Sequence, residues 1–465
     1  MRARRIQASD SKTNVSVKKK PAAPSQLVDL FLSVAEQLGL RSDREVADLA
    51  GATVENVSNW RGGAVQEFKP STLRSIKESL GIHIAMLRDR ARAIDGGTSM
   101  GLVGIEIEEG ASPSDLHRQF RERVVYDYLG HRFLYFEPQG AVAWETLIGS
   151  GYEQERWLRG VATSLEEWLD IRRDDTGRCR GPIAQACGME ARTRARGLDV
   201  ISLGPGEGGK EISVLQHLLA LERTSSHRFA WLTFAPVDVS VPLLLSCATG
   251  ARRAVAEAGG GARATVTPYC ADFEEGRLAF AQRLPTTLAS SDQGLRLVLM
   301  LGNVFGNVRE EESFVRQKLW SLARPGDLVW LEVGLRPKSV ADDPLFRLTT
   351  APREETAAEA ARRLLLEGPY RRWEAALGRP QSSLEMRVWL REDDESSRIP
   401  GSINFCHDLV IKDERRVCTM LYSRRYNLES LIVWLERMQL RLERSMIVED
   451  SKHRPRVAHL LLRRT

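Results

Sequence analysis

The sequence predicts an α/β fold, a largely parallel sheet covered by helices, preceded by a small all-α unit. Three observations carry this. From about Tyr126 onward, short apolar runs alternate with helical patterns, the texture of a parallel sheet. One run, Leu198-Asp-Val-Ile-Ser-Leu203, leads straight into a glycine-rich turn and a helix. Ahead of this region, residues 25–95 show apolar residues at helical spacing, broken by glycines.

The bulk properties set limits. A chain of 465 residues is too long for one ordinary core, so at least two packed units are expected. With 42% hydrophobic and 28% charged residues, the profile is globular and excludes disordered or fibrous classes. No apolar run approaches the ~20 residues that span a bilayer, and the N-terminus lacks the apolar centre of a secretory signal. A cytoplasmic protein without membrane contact is therefore expected. The cysteines form no CxxC pair and the histidines no metal-ligand spacing, so buried thiols and no metal are expected. HExxH, Walker and Gly-x-Ser-x-Gly patterns are missing from the sequence.

Residues 1–24 form a basic arm with Arg2, Arg4, Arg5 and Lys18 to Lys20, open to two readings: a tracker of phosphates or a solvated tail. Within 25–95, Leu27 to Leu38 reads as a helix stopped by Gly39. Arg44 to Ala50 and Val54 to Trp60 follow as short helices around Gly51-Ala-Thr53, and Ser71 to Leu80 as another. The stretch from Ser42 to Gly62 resembles the helix-turn-helix domains of phage repressors. That resemblance implies that Thr53, Asn56, Asn59 and Arg61 face a DNA major groove, and that the module works as a homodimer. A protein-interaction bundle is the alternative, because Asp43, Glu45, Asp48 and Glu55 weaken a positive footprint. Residues 96–125 read as a linker with one strand at most.

The chemistry concentrates after residue 198. Gly204-Pro-Gly-Glu-Gly-Gly-Lys-Glu211 joins the first strand to a helix and lets backbone approach a nucleotide-like ligand. A second strand, Trp231 to Val237, ends at Asp238, where a carboxylate can accept both hydroxyls of a ribose. A third, Ala264 to Ala271, ends at Asp272-Phe273, an acid for an adenine amino group beside a ring to stack on the base. A fourth, Leu295 to Leu301, breaks at Gly302-Asn-Val-Phe-Gly-Asn307, and a fifth, Leu328 to Val333, follows Arg324-Pro-Gly-Asp327. Every such element falls at the carboxyl end of a strand, the edge at which open α/β sheets bind ligands.

Order and spacing resemble the class I S-adenosylmethionine-dependent methyltransferases, and more closely the histidine-specific Nα-methyltransferases of the ergothioneine pathway. Their Leu-Gly-x-Gly with a following Lys is matched by Leu203, Gly204, Gly206 and Lys210, and their Pro-Val-Asp-Val-Ser stands unchanged at Pro236 to Ser240. Leu301-Gly-Asn-Val-Phe-Gly-Asn307, Leu384-Glu-Met-Arg-Val388 and Tyr422-Ser-Arg-Arg-Tyr426 look like further segments of that family. The resemblance implies a Rossmann-like methyltransferase sheet with a C-terminal accessory α+β region over 126–465, and S-adenosylmethionine as cofactor. It implies cofactor contacts from Gly204, Gly206, Lys210, Asp238, Asp272 and Phe273. Asn307 would be the catalytic residue, holding the polar head of an amino-acid substrate, and Met386 and Ser423 would line the substrate pocket.

There are departures. The family's glutamate for the substrate imidazole is Leu421 here, and an unpaired imidazole costs ~1–3 kcal/mol, so histidine itself is disfavoured. The family's Tyr-Tyr-Pro-Thr-Arg has no clean match, Tyr152 being the nearest stand-in. His407-Asp408 reads as a strand-edge pair. Two functions stay open: a methyltransferase for a small molecule or amino acid, and a DNA-binding regulator whose methyltransferase fold senses the cofactor or is inactive. A DNA base methyltransferase is disfavoured, since Gly302 to Asn307 supplies neither an Asp/Asn-Pro-Pro-Tyr/Phe grip nor a Pro-Cys nucleophile.

Overall fold

The computed structural model describes residues 28, 31–32, 35, 42–50, 52–62, 68–69, 71–72, 104–149, 154–189, 196–224, 229–259, 264–289, 293–348, 357–392 and 397–465. The basic arm at 1–24, most of the predicted helix at 71–80, and Tyr152 lie outside them.

Four seven-residue strands form the centre of the large sheet: Gly197–Leu203 (β2), Leu232–Asp238 (β3), Gly294–Met300 (β6) and Leu328–Gly334 (β7). Each is buried along its whole length, which explains why their sequences are nearly continuous apolar runs without alternation. Glu106–Ile107 (β1) lies at one edge and pairs with the short strand Tyr269–Cys270 (β5), while Ala264–Val266 (β4) pairs with β3. The single third strand expected over 264–271 is thus split at Thr267-Pro268, where proline lacks the N–H a ladder needs.

The order along the sheet is β1-β5-β3-β2-β6-β7, continued by Pro455–Arg464 (β12) and Leu440–Glu449 (β11), with β4 on β3. Pairing is parallel from β1 to β7; β12 runs antiparallel to both β7 and β11. After β2 the chain builds outward through β3 and β5, then crosses back to β6 on the other side. That reversal opens a crevice above the carboxyl ends of β2 and β6.

Helices Gly209–Thr224 (α5) and Val241–Glu257 (α6) link these strands, and a separate antiparallel sheet stands beyond β7. It has the order β10-β9-β8, from Leu384–Arg391 (β8), Ile403–Ile411 (β9) and Arg416–Arg425 (β10), and is preceded by the helix Ala357–Ala376 (α8). The accessory α+β region lies in the C-terminal part of the chain, inserted ahead of the last two strands of the large sheet. After it the chain forms Leu428–Arg437 (α9) and returns to the large sheet as β11 and β12. Residues 104–125 are likewise no simple linker, because β1 pairs with β5 and the helix Pro113–Arg123 follows. In the N-terminal region Asp43–Ala50 (α1) and Val54–Arg61 (α2) are helical, and the Thr53 hydroxyl accepts from the Asn56 amide at 3.2 Å as an N-cap. Val57 and Trp60 are buried, Trp60 edge-to-face with Phe31 and Phe68.

Polar residues inside buried strands need partners. At the amino-terminal edge, opposite the crevice, the Asp199 carboxylate accepts from Thr286 N at 3.0 Å, Thr286 Oγ1 at 2.6 Å and Trp231 Nε1 at 3.0 Å. Arg296 of β6 donates to the carbonyls of Leu322 and Ala281 and to the hydroxyls of Thr286 and Thr287. This end of the sheet is closed by internal hydrogen bonds, which leaves the carboxyl end for chemistry. All six cysteines are buried as thiols, and no helix among the described residues is long and apolar enough to cross a membrane. Replacing Arg296 by leucine removes its buried hydrogen bonds to Leu322, Ala281, Thr286 and Thr287 and is expected to lower the unfolding free energy by about 3 kcal/mol. A urea titration checks this, and an unchanged midpoint contradicts it.

Candidate active site at the carboxyl ends of the strands

A cavity of about 300 Å³ opens where β2, β3, β6 and β7 end. The glycine loop forms one wall. Gly204 adopts φ +62°, and a Cβ there would stand 3.3 Å from both Phe273 and Val304, so glycine alone keeps this wall open without strain. Asp238, at the tip of β3, accepts from the Gly206 amide at 3.3 Å and from the Ser240 amide at 2.9 Å. Burial pushes its carboxyl up to about 6 despite those bonds.

Across the cavity, Asp272 accepts from the amides of Glu274 at 3.0 Å and Glu275 at 3.1 Å. Its other oxygen is ion-paired with buried Arg132 of the short helix Arg132–Tyr135 (α3). Phe273 lies beside His131, ring centroids 5.9 Å apart, and burial lowers His131 to about 4, so that imidazole is neutral. Lys210 also lines the cavity, with its ammonium bound to both oxygens of Glu332 at 2.8 and 2.9 Å. Burial drives Glu211, the next residue, up to about 7. Acids outnumber bases on this half: Glu207, Glu211, Asp238, Asp272 and Glu332 face Arg132 and Lys210. That balance suits a ligand carrying positive charge.

Beyond β6 the turn is held by Asn303, in the left-handed conformation at φ +61°, whose carboxamide oxygen accepts from the Gly334 amide at 2.8 Å. This ties the ends of β6 and β7 together and leads into Val304–Asn307 (α7). Asn307 lines the cavity, and its carboxamide has no protein hydrogen-bond partner among the described residues. Fully buried Arg424 donates to the carbonyls of Val308 and Arg309, is paired with Glu311 at 3.3 Å, and so clamps the backbone just after Asn307. The far end is walled by Leu421, Ser423 and Arg425 of β10, His407 of β9, Arg362 of α8, and Asp343.

The profile of the family described as histidine-specific methyltransferase, SAM-dependent, matches residues 180–335, the stretch that carries β2 to β7 and the glycine loop. The chain is an S-adenosylmethionine-dependent methyltransferase. Among solved structures the methyltransferase is similar to the CcbJ methyltransferase from Streptomyces caelestis, at 16% identity over 60% of this chain and 93% of the other, TM-score 0.29. It is also similar to magnesium protoporphyrin IX methyltransferase from Synechocystis PCC 6803 with bound SAH, at 13% identity over 71% and 97%, TM-score 0.32. No curated protein matches the chain by sequence.

The cavity of the methyltransferase brings together Gly204, Gly206, Lys210, Asp238, Asp272, Phe273, Asn307 and Ser423. Met386 is the exception. It sits on β8, the outer strand of its sheet, opposite Leu409, and packs into the apolar cluster with Leu365, Leu366 and Tyr370 instead of lining the cavity. His407-Asp408 is not an edge pair, because β9 is the central strand between β8 and β10. Asp408 accepts from Thr419 Oγ1 at 2.8 Å and from Trp389 Nε1, whereas His407 lines the cavity. Arg132, His131 and Arg362 carry no motif and went unseen in the sequence. Thr53, Asn56, Asn59 and Arg61 are exposed on or beside α2 and do not line the cavity; Arg61 pairs with Asp43 at 2.8 Å.

The fit of an adenosine here rests on the glycine wall and on Asp238, whose oxygens accept from backbone amides and retain lone pairs for hydroxyl donors. Because the folded Asp238 carboxyl titrates near 6, above its ordinary 3.8, the ligand-free fold loses stability as pH rises between those values. Ribose hydroxyls prefer the ionised form, so cofactor binding should gain over the same window. Calorimetry with S-adenosylhomocysteine is expected to give about tenfold tighter binding at pH 7 than at pH 5. Asp238→Asn should bind weakly and lose the pH step, and a wild-type affinity flat across that range contradicts the assignment.

Proposed function

We propose that the methyltransferase transfers the methyl group to an amine of an amino-acid-like or other small substrate, with Asn307 orienting the acceptor. The observation that carries this is the Asn307 carboxamide, which has no protein hydrogen-bond partner among the described residues and lines the same cavity as Asp238 and Ser423. The cofactor supplies an electrophilic methyl and leaves as a neutral thioether, so positioning outweighs acid–base chemistry. Gly204, Gly206, Asp238, Asp272 and Phe273 are the residues assigned to adenosine. Lys210 is assigned an indirect part, holding Glu332 against the cavity. The Arg424–Glu311 pair fixes the backbone that presents Asn307. Leu345, Leu365, Leu366 and Leu421 make the acceptor end partly apolar, which desolvates an ammonium and favours the free amine needed for attack.

A second reading, a nucleic-acid-binding regulator whose methyltransferase domain senses the cofactor, is supported by the exposed Asn56 and Asn59 on the capped helix α2. The ion pair that occupies Arg61 and the acids around it count against it.

A labelled-methyl screen over free amino acids, small amines and nucleic acids separates the two. Incorporation into a small amine is expected, with Asn307→Ala lowering kcat/KM about a hundredfold while S-adenosylhomocysteine affinity stays within about twofold. Cofactor binding with no acceptor in any pool, together with salt-sensitive binding of a duplex, supports the regulator and overturns the amine reading.

A further inference from the structure

His131 stands beside the ring assigned to the cofactor's base, and no hydrogen bond among the described residues uses its nitrogens. It follows Gly130, which turns at φ +88°, and precedes α3; it is 8% exposed and lines the cavity. Its Nδ1 is buried without a hydrogen-bond partner, and the group that faces it is Glu274 Oε2 at 3.5 Å. Nε2 is the ring nitrogen left open to the cavity, and no protein group among the described residues bonds it. A buried imidazole with both nitrogens unpaired is costly, which marks one of them for a ligand. Packing holds the ring in place: Phe273 lies against it, with centroids 5.9 Å apart and planes tilted by 39°.

The neighbouring groups decide what His131 offers. One oxygen of Asp272 takes the amides of Glu274 and Glu275 and the other takes Arg132, so the carboxylate has little more than one lone pair left for a ligand. Arg132 is itself directed at Asp272 and Glu275. The amino edge of adenine presents an N–H donor next to a ring-nitrogen acceptor, N1 on one side and N7 on the other. Asp272 suits the amino group, and the ring nitrogen still needs a donor. Glu274 selects the tautomer that supplies it. Its Oε1 accepts from the Arg309 amide at 2.6 Å, and burial pushes its carboxyl up to about 7, so below that pH Oε2 keeps a proton to give to Nδ1. The imidazole hydrogen then sits on Nε2 and faces the cavity. We infer that His131 reads the base of the cofactor: its Nε2–H donates to N1 or N7 of the adenine, beside the amino group that Asp272 accepts, with Glu274 holding Nδ1. The inference rests on the placement of adenosine against Phe273.

The test titrates the full chain with S-adenosylhomocysteine and with its 1-deaza and 7-deaza adenine analogues, in each of which one ring nitrogen becomes C–H. One analogue is expected to bind about tenfold more weakly than S-adenosylhomocysteine, the effect of one buried hydrogen bond, and its identity names the nitrogen. His131→Phe keeps the ring packing and removes the donor. It should bind S-adenosylhomocysteine about tenfold more weakly, with affinity for that analogue within about twofold of wild type, which also shows that the variant folds. If the phenylalanine chain does not fold, nitrogen NMR spectra of the wild-type imidazole carry the test: the protonated Nε2 signal is expected to shift more with S-adenosylhomocysteine than with the weak analogue. Equal binding of all three ligands by the wild-type chain, a His131→Phe chain that keeps the wild-type preference, or an Nε2 signal that all ligands move equally or not at all overturns the base contact. Failure of S-adenosylhomocysteine to bind the wild-type chain overturns the underlying cofactor site instead.

Discussion

The contact between the Asp238 carboxylate and the Gly206 amide is what the rest of the site depends on. It joins the tip of β3 to the loop after β2, so it fixes the glycine wall relative to the neighbouring strand. The neighbouring bond to the Ser240 amide fixes the same carboxylate against the start of α6. Burial opposes ionisation, and two backbone amides do not fully offset that cost, as the upward shift to about 6 shows. A carboxylate held under such tension is pre-formed for further donors. Sheet topology puts it in the right place: strand order reverses at β2, and side chains at the carboxyl ends converge on the gap.

Around that point the cavity is organised by ion pairs on opposite walls. Arg132–Asp272, Lys210–Glu332 and Arg425–Asp343 each join groups from segments far apart in sequence. Buried pairs of this kind add little net stability, because the desolvation of both ions nearly cancels their attraction. Their effect is positional. Each holds a side chain at a fixed place in the wall. Arg424 and Asn303 extend the same logic to the turn after β6, one clamping the backbone beyond Asn307 and the other binding it to β7.

The parts legible in the sequence were those encoded locally. A fully buried strand, a glycine turn and an acid at the next strand's end are neighbours in the chain, and β2, β3, β6 and β7 announce themselves by unbroken apolar runs. The break at Pro268 needed only the missing N–H of proline, although the apolar pattern ran straight through it. Pairing order was not legible. His407 and Asp408 look alike on a linear strand, and only the position of β9 between β8 and β10 sends one into the cavity and the other toward Thr419 and Trp389. Met386 failed for the complementary reason, since being on an outer strand leaves it among the side chains of α8 and β9. Arg132 and Arg362 come from helices before and after the cofactor region, where no spacing rule connects them to it. The Lys210–Glu332 pair hid two visible residues behind a contact that required the folded sheet.

The most direct test of the account is a structure of the full chain in complex with S-adenosylhomocysteine. Adenosine is expected in the crevice above β2, with the ribose hydroxyls within about 3 Å of Asp238 and the base against Phe273. A complex with adenosine outside that crevice, or with the Asp238 carboxylate beyond hydrogen-bond reach of the ribose, would contradict it.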